Sequence, residues 1–375
     1  MSTGISPFQR KVLVAMSGGV DSAVAALLVK RRGCEAIGAT LRLFSGEGAD
    51  EAEESFRGEK ACCSLESVET ARNAARRLGI PFYVFNFAPD FHREVIERFI
   101  SAYQRGETPN PCIDCNRYVK LGKLFRRAEE MECTHISTGH YARVEFSPST
   151  GRWLLKKGLD QDKDQSYVLY NLTQAQLSRL LLPLGELTKP QVRALAEEAG
   201  FANAHRPESQ DICFVPDGNY AGFIQRCTGI PAKPGDFTGT GGQVYGRHKG
   251  IIHYTVGQRK GLGLSFPQPM YVCAIDPEKN QVVLGEHREL FMDRLIARDL
   301  NLIAVESIPK PRELSAKIRY RHREQPAMVV QTGPDELEVR FHEPQRAITK
   351  GQAVVLYDGD IVVGGGVIAE SGGLK

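Results

Sequence analysis

Ser17-Gly18-Gly19-Val20-Asp21-Ser22 lies between two apolar runs, Lys11-Val12-Leu13-Val14-Ala15-Met16 before it and Ala23 to Lys30 after it. The first run reads as a buried strand and the second as a helix. A turn of paired glycines flanked by serines, set between a strand and a helix, brings backbone N–H groups and hydroxyls to a helix N-terminus. That arrangement is a natural anion site. A nucleotide phosphate is the anion it predicts.

The spacing narrows the chemistry. A P-loop of the kinase or GTPase kind carries a Lys followed by Ser or Thr after its glycines, and no Lys stands in this turn. The dinucleotide G-x-G-x-x-G pattern is missing as well. The stretch resembles the pyrophosphate loop (PP-loop) of the ATP pyrophosphatases, which split ATP between its α and β phosphates and adenylate a substrate.

The rest of the chain frames that turn. Its 375 residues predict two or three domains, and 42% hydrophobic with 25% charged residues is the balance of a soluble globular protein. No apolar run reaches membrane-spanning length, and the N-terminus has no signal-peptide pattern. A net charge of +3 neither demands nor excludes a polyanionic partner, because local patches bind nucleic acid. Nine cysteines without an export signal predict reduced thiols and a cytoplasmic location, with chemistry reserved for a few of them.

Strands and helices alternate through the first half: Glu35 to Phe44 (strand), Ser64 to Leu78 (helix), Pro81 to Phe87 (strand), Asp90 to Tyr103 (helix), Cys115 to Met131 (helix) and Thr134 to Thr138 (strand). This order predicts an α/β parallel sheet with helices on both faces, ligands binding beyond the carboxyl ends of the strands. The acidic, glycine-containing stretch from Ser45 to Lys60 reads as a surface loop. Thr188 is the expected N-cap of a helix with Pro190 in its first turn, running to Ala199. From about Tyr220 short glycine-punctuated strands predict a small β-rich module, and beyond Met292 the runs Leu314 to Tyr320, Ala327 to Gln331, Leu337 to Phe341 and Ala353 to Tyr357 predict a closing β-barrel. The expected division is residues 1–218 (catalytic), 219–291 (central) and 292–375 (C-terminal barrel).

A second informative segment is Thr108-Pro109-Asn110-Pro111-Cys112-Ile113-Asp114-Cys115-Asn116. Its prolines hold it extended, and Cys115 is expected where the next helix begins, where the helix dipole lowers a thiol pKa. Cys213, in Glu208-Ser209-Gln210-Asp211-Ile212-Cys213-Phe214, sits in a polar run unlike that around a core cysteine. Structural thiols, redox chemistry and metal binding all remain open for a C-x-x-C pair taken alone.

Six motifs occur in the order found in the bacterial tRNA-specific 2-thiouridylases, and the chain resembles that family over nearly its whole length. They are Ser17 to Ser22, the Thr-Pro-Asn-Pro segment leading to Cys115-Asn116, Thr138-Gly139-His140-Tyr141-Ala142-Arg143, Lys163-Asp164-Gln165-Ser166-Tyr167, Ser209 to Phe214, and Thr255-Val256-Gly257-Gln258-Arg259-Lys260-Gly261-Leu262-Gly263. The resemblance implies ATP held by Ala15, Met16, Ser17, Gly18, Gly19, Val20, Asp21 and Ser22, with Leu41 and Gly139 near the adenosine and Asp21 helping to hold Mg2+. It implies that the 2-carbonyl oxygen of a wobble uridine attacks the α-phosphate. It further implies Cys213 as the persulfide carrier, charged by a cysteine desulfurase or sulfur-carrier protein, and Cys115 as the nucleophile that attacks the persulfide or closes a disulfide with Cys213 to release the sulfur. Asn110, Pro111, Cys112, His140, Lys163, Asp164, Gln165, Arg319, Tyr320 and Gln352 match positions that contact the tRNA anticodon loop in the family.

The family often has Asp where this chain has Cys112. With Cys112, Cys115 and Cys213 together, a [4Fe–4S] cluster with one open iron is a rival sulfur carrier. Leu41 replaces a frequent Met and keeps an apolar contact. The basic run Arg319-Tyr320-Arg321-His322-Arg323 suits phosphate contact with base stacking, or equally a solvated strand end. Two other functions compete: a PP-loop enzyme adenylating a small metabolite for nitrogen transfer, which needs neither Cys115 nor Cys213, and an RNA-binding module that has lost catalysis. Cys62 and Cys63 have no assigned part.

Overall fold

The computed structural model describes residues 10–43, 65–204 and 212–372. They divide into two compact units. The first takes in the described residues up to Val95 together with Cys112–Pro216 and Asp360–Val362, and the second takes in Ile96–Pro111, Asp217–Gly359 and the described residues from Val363 onward.

The first unit is built on a parallel sheet of β1 (Lys11–Ala15), β2 (Glu35–Arg42), β3 (Phe82–Asn86), β4 (His135–Ser137) and β7 (Leu180–Leu181), in the order β3-β2-β1-β4-β7. Val12, Leu13 and Val14 are wholly buried, as expected of a central parallel strand covered on both faces. Alternation sends Val12 and Val14 to one side, where they pack with α1 (Val20–Arg31), α2 (Leu65–Leu78) and α5 (Lys189–Glu198). Small side chains, Ala23, Ala26, Ala71, Ala74, Ala75 and Ala196, let these helices approach closely. Against β1 and β4 also lies α4 (Gly122–Glu130). An antiparallel hairpin, β5 (Ala142–Ser147) with β6 (Arg152–Lys157), pairs onward with Ile361 and Val362. The acidic stretch from Ser45 to Lys60, with Cys62 and Cys63, lies outside the described residues.

Two expectations change here. Helical structure before α4 begins at Pro111 and continues through a wider turn from Cys115 to Lys120, so Cys115 is a full turn inside rather than at the N-terminus. A proline takes the first helical position, where its missing N–H costs nothing, and Cys115 lies past the first turn, beyond the reach of the helix-end dipole. The texture change at Tyr220 starts with a helix, α6 (Tyr220–Thr228), not a strand. Asn219 caps it by accepting from Gly222 N–H at 3.0 Å, and Gly229 ends it at φ 65°.

In the second unit, the sheet β10-β11-β8-β9 joins β8 (Gly235–Gly239), β9 (Val244–His248), β10 (Tyr271–Asp276) and β11 (Gln281–Gly285) around Phe237, Tyr254, Val272, Val282 and Leu284. The barrel follows in the order β12-β15-β14-β13-β16-β17. Its strands are β12 (Phe291–Leu302), β13 (Arg312–Lys317), β14 (Gln325–Gly333), β15 (Glu336–Arg346), β16 (Ala353–Asp358) and β17 (Ile361–Gly372). Pairing of β12 with β17, from Arg294↔Gly372 to Leu302↔Gly364, closes it and removes free edges. Inward residues such as Leu314, Val329, Leu337, Val339 and Leu356 are at most 4% exposed. Helix α3 (Glu97–Gln104) packs here through Phe99, whose ring lies 6.2 Å from that of Phe223.

Candidate nucleotide and sulfur-transfer site

The turn at Ser17–Ser22 leaves the carboxyl end of β1 and enters α1. Ser22 closes it: its hydroxyl accepts from Ser17 N–H at 3.1 Å and donates to the Gly19 carbonyl at 2.9 Å. Of the two hydroxyls expected to face an anion, that of Ser22 is therefore spent inside the turn, while Ser17 is exposed. Gly18 has φ 80°, and a Cβ there would stand 2.3 Å from the Ser67 carbonyl oxygen. Only glycine fits. Gly139, after β4, lies so close to the start of α1 that a Cβ would be 2.8 Å from Ser22 N. The amide of Asn203, itself buried, donates to the Gly18 carbonyl at 2.8 Å and ties the turn to the chain beyond α5.

Met16 and Val20 point into the core, so they reach a ligand only through their backbone. Met16 is pinned by its N–H to Ala39 O at 2.8 Å and by the Thr40 hydroxyl donating to Met16 O at 2.5 Å. Ala15 is half-buried at the end of β1, and Leu41, near the end of β2, is 9% exposed.

Asp21 is the chemical centre of the turn. The Tyr141 hydroxyl donates to its Oδ1 at 2.7 Å, and Lys189 Nζ lies 2.7 and 2.8 Å from its two carboxylate oxygens. The Lys189 side chain is only 8% exposed. Neither partner follows from the sequence pattern, because both are far from the turn in the chain. One signal existed: Lys189 occupies the first turn of α5, where the helix dipole disfavours a cation. A lysine placed there is held by something else.

Tyr141 is set by reciprocal bonds with Gln165, whose Oε1 accepts from Tyr141 N–H at 3.0 Å and whose N–H donates to Tyr141 O at 2.9 Å. Asp164 accepts from Gly158 N–H, Ser166 N–H and the Ser166 hydroxyl at 3.1, 3.1 and 2.8 Å, shaping the loop that carries half-buried Lys163. His140 pairs through Nδ1 with the Thr138 hydroxyl at 2.7 Å. Burial, with Lys120 nearby, pushes its pKa down to about 3, so the ring is neutral. The neutral ring offers hydrogen bonds rather than charge.

The cysteines are less gathered. Cys112 is exposed, Cys115 is 5% exposed and Cys213 is half-buried, and none of the three is joined in a disulfide. The disulfide that resemblance implied is thus not formed in this state. Phe214, next to Cys213, is anchored edge-on to Phe91 with ring centres 5.8 Å apart. Asn116 donates to Val168 O at 3.2 Å. Among the described residues no three His, Cys, Asp or Glu side chains come together to hold a metal ion. Cys112, Cys115 and Cys213 therefore do not form the ligand set that a [4Fe–4S] cluster requires. Mg2+ is a different case, since it binds through one or two carboxylates plus substrate phosphates, and Asp21 supplies such a carboxylate.

The second unit carries the remaining candidates. Gln352 donates its amide to the carbonyls of Thr108 and Pro109 at 2.8 and 3.3 Å, and Thr108 N–H donates to Lys350 O at 2.9 Å, so the strap before Asn110 and Pro111 is fixed. Arg319 donates to Arg346 O at 2.7 Å, and Tyr320 is 37% exposed with Lys317 Nζ 5.7 Å from its ring centre. The basic run Arg319 to Arg323 follows the end of β13. Burial, with Arg319 and Lys317 close by, lowers the His322 pKa to about 4.

Three family profiles match the chain: "tRNA methyl transferase HUP domain" over residues 10–217, "tRNA methyl transferase PRC-barrel domain" over 222–286, and "Aminomethyltransferase beta-barrel domain" over 292–368. The tRNA-specific 2-thiouridylase MnmA of Clostridioides difficile is 48% identical over 96% of this chain and 99% of its own length. The protein of that name from Carboxydothermus hydrogenoformans is 51% identical over 96% of this chain and 98% of its own length. A solved 4-thiouridine synthetase with RNA and ATP matches at 20% identity, covering 56% of this chain and 46% of that chain, with a TM-score of 0.37. That likeness is too distant to carry any point of function.

Proposed function

The chain belongs to the tRNA-specific 2-thiouridylase family, and from that premise we propose that it uses ATP to convert the 2-carbonyl of a wobble uridine in tRNA to a thiocarbonyl. The observation that carries the reading is the assembled turn at Ser17–Ser22, with Asp21 gripped by Tyr141 and Lys189, in the same unit as Cys115 and Cys213. An adenylating PP-loop enzyme that transfers nitrogen has no use for those two cysteines. A methyl donor, which two of the profile names suggest, leaves both the phosphate turn and the thiols without a task.

The chemistry divides in two. Backbone N–H groups at the start of α1 hold the phosphates as the uridine O2 attacks the α-phosphorus and pyrophosphate leaves; Asp21 would hold Mg2+, which would supply positive charge against the phosphates. Adenylation turns a poor leaving oxygen into a good one. The terminal sulfur of a Cys213 persulfide then attacks C2 and AMP departs, leaving the base joined to Cys213 through two sulfurs. Cys115 thiolate attacks the Cys213 sulfur, which breaks the sulfur–sulfur bond, frees the thiocarbonyl and forms a Cys115–Cys213 disulfide. A thiol reductant must reopen that disulfide before the next turnover. A cysteine desulfurase or sulfur-carrier protein supplies the persulfide. This route runs through cysteine thiols, and we assign no step to an iron–sulfur cluster.

We assign tRNA contact to His140, Lys163, Asp164 and Gln165 in the first unit and to Asn110, Pro111, Arg319, Tyr320 and Gln352 in the second, with Cys112 beside the target base. A base stacked in the anticodon loop has to be turned outward, which requires contacts on both sides of it. The profile boundaries near residues 217–222 and 286–292 fit three parts: catalytic, central and barrel. Among the described residues no helix is long and apolar enough to cross a membrane, and we place the protein in the cytoplasm. The test is protein purified without iron, given ATP, unmodified tRNA and a persulfide donor. 2-Thiouridine and pyrophosphate in equal amounts support the reading, and pyrophosphate release without tRNA dependence overturns it.

A further inference from the structure

Asn116 follows Cys115 in the chain and is 4% exposed, yet its side chain is an amide rather than a hydrocarbon. Its Nδ2 donates to Val168 O at 3.2 Å. A carbonyl only accepts, so that bond fixes which end of the amide faces Val168 and turns Oδ1 away. Oδ1 is buried and has no hydrogen-bond partner among the described residues. A buried amide satisfied at one end only is less favourable for the fold than an apolar side chain of similar size. Packing alone therefore does not account for an asparagine here, and the bond to Val168 is what the amide supplies. Both sides of that bond are held. Asn116 belongs to the wider turn Cys115–Lys120, which Leu121 N–H closes by donating to Asn116 O at 3.0 Å; widened turns of this kind are frequent at functional sites. Val168 belongs to the short helix Ser166–Leu169, whose residues are all buried and whose start Asp164 holds by accepting from Ser166 N–H and hydroxyl at 3.1 and 2.8 Å. Gln165 accepts from Tyr141 N–H at 3.0 Å, and the Tyr141 hydroxyl donates to Asp21. Residues 164–169 thus carry one connection toward the phosphate turn and another toward the cysteine.

We infer that Asn116 is a positioning residue for sulfur release: its bond to Val168 hooks the turn bearing Cys115 onto the segment that orients Asp21, which sets the thiol at a fixed place relative to the adenylated base. The inference rests on the reading of Cys115 as the thiol that frees the sulfur. In that step the Cys115 thiolate forms a bond to the Cys213 sulfur and the bond between that sulfur and the one on the base breaks. The electron pair of the broken bond leaves with the base, which takes a proton from solvent and becomes the thiocarbonyl. Cys115 is 5% exposed, so its approach is set by the backbone turn that carries it rather than by free rotation of its side chain. A shift of about 1 Å in that turn is enough to slow such a step by about 100-fold. Adenylation makes no use of Cys115, and the two halves of the reaction therefore separate in experiment.

The experiment compares the full-length parent, Asn116→Leu and Cys115→Ser in a single turnover with ATP–Mg2+, unmodified tRNA and a persulfide donor, and measures pyrophosphate, 2-thiouridine and tRNA joined covalently to protein. For Asn116→Leu the inference predicts tRNA-dependent pyrophosphate release within about twofold of the parent and 2-thiouridine formation slower by about 10- to 100-fold. A tRNA–protein adduct that dithiothreitol releases should accumulate meanwhile, because the base stays joined to Cys213 through two sulfurs. Pyrophosphate and 2-thiouridine falling together, with no adduct, means that Asn116 only supports the fold, and the inference fails. Formation of 2-thiouridine at the parent rate overturns it as well. Asn116→Ser, a smaller side chain without the amide, keeps the comparison available where the leucine variant is unfolded. A Cys115→Ser protein that forms 2-thiouridine at the parent rate refutes the reading of Cys115 itself, an outcome distinct from one in which Cys115→Ser is blocked and Asn116→Leu is not.

Discussion

The segments Ser17–Ser22 and Cys112–Cys115 both lead into helices, yet the folded chain treats them differently. The first is closed by its own hydroxyl and amide bonds, pressed by Gly139 and steadied by Asn203, Tyr141 and Lys189. The second exposes Cys112 and buries Cys115, while Cys213 lies on another segment half-buried. In the proposed reaction, phosphate chemistry finds its groups already oriented, whereas the thiol assigned to release the sulfur, Cys115, is buried. The difference fits the reaction order, since adenylation precedes sulfur transfer and only the later step needs the thiols.

The sharpest way to break the comparison is to damage the prepared half. Asp21→Ala should lower tRNA-dependent pyrophosphate release by about 100-fold or more, the scale of losing an oriented electrostatic group; release near the parent rate would remove Asp21 from the chemistry. Gly18→Ala comes next, because a methyl group meets the Ser67 carbonyl and φ 80° disfavours an L side chain. Strain of about 1–3 kcal/mol should appear in denaturant unfolding together with weaker ATP binding.

Acid should act through three half-buried histidines. His135, His140 and His322 have pKa values near 4, 3 and 4, all below the ordinary 6.5. The unfolded chain therefore binds more protons than the folded one below pH 6.5, so stability is complete above that value and falls on acidification toward about 4. The melting temperature should be lower at pH 5 than at pH 7, and His322→Gln should flatten that dependence; an unchanged slope would show that His322 does not contribute. Smallest is Tyr141→Phe, which deletes one donor to Asp21 and should cost about 0.5–1.5 kcal/mol of transition-state stabilisation, read as a fall in pyrophosphate release of up to roughly tenfold. A fall as deep as that of Asp21→Ala would make Tyr141 more than an orienting group.

Much of this was legible in the chain. The apolar run before Ser17 and the alanine-rich run after it specify a buried strand and a close-packed helix, and alternation between Leu314 and Tyr357 specifies a barrel. Local signals also placed the start of α5, where Thr188 and Pro190 act within one turn. Two helix starts were misplaced. Pro111 looks like an extended spacer in the sequence, yet proline also suits a first helical position, and the glycines near Tyr220 hide a helix capped by Asn219. What no pattern conveys is contact across the fold: Lys189 and Tyr141 meet Asp21 only because α5 and the chain after β4 converge on α1. Burial was hidden too, so Cys115 read as an accessible helix-end thiol although it packs inside a turn.

The most direct test of the central claim is a single measurement on Cys213→Ser, incubated with ATP, unmodified tRNA and a persulfide donor, in which pyrophosphate and 2-thiouridine are quantified together. The account predicts pyrophosphate released in an amount dependent on tRNA, with no 2-thiouridine formed. 2-Thiouridine produced by this variant would contradict it.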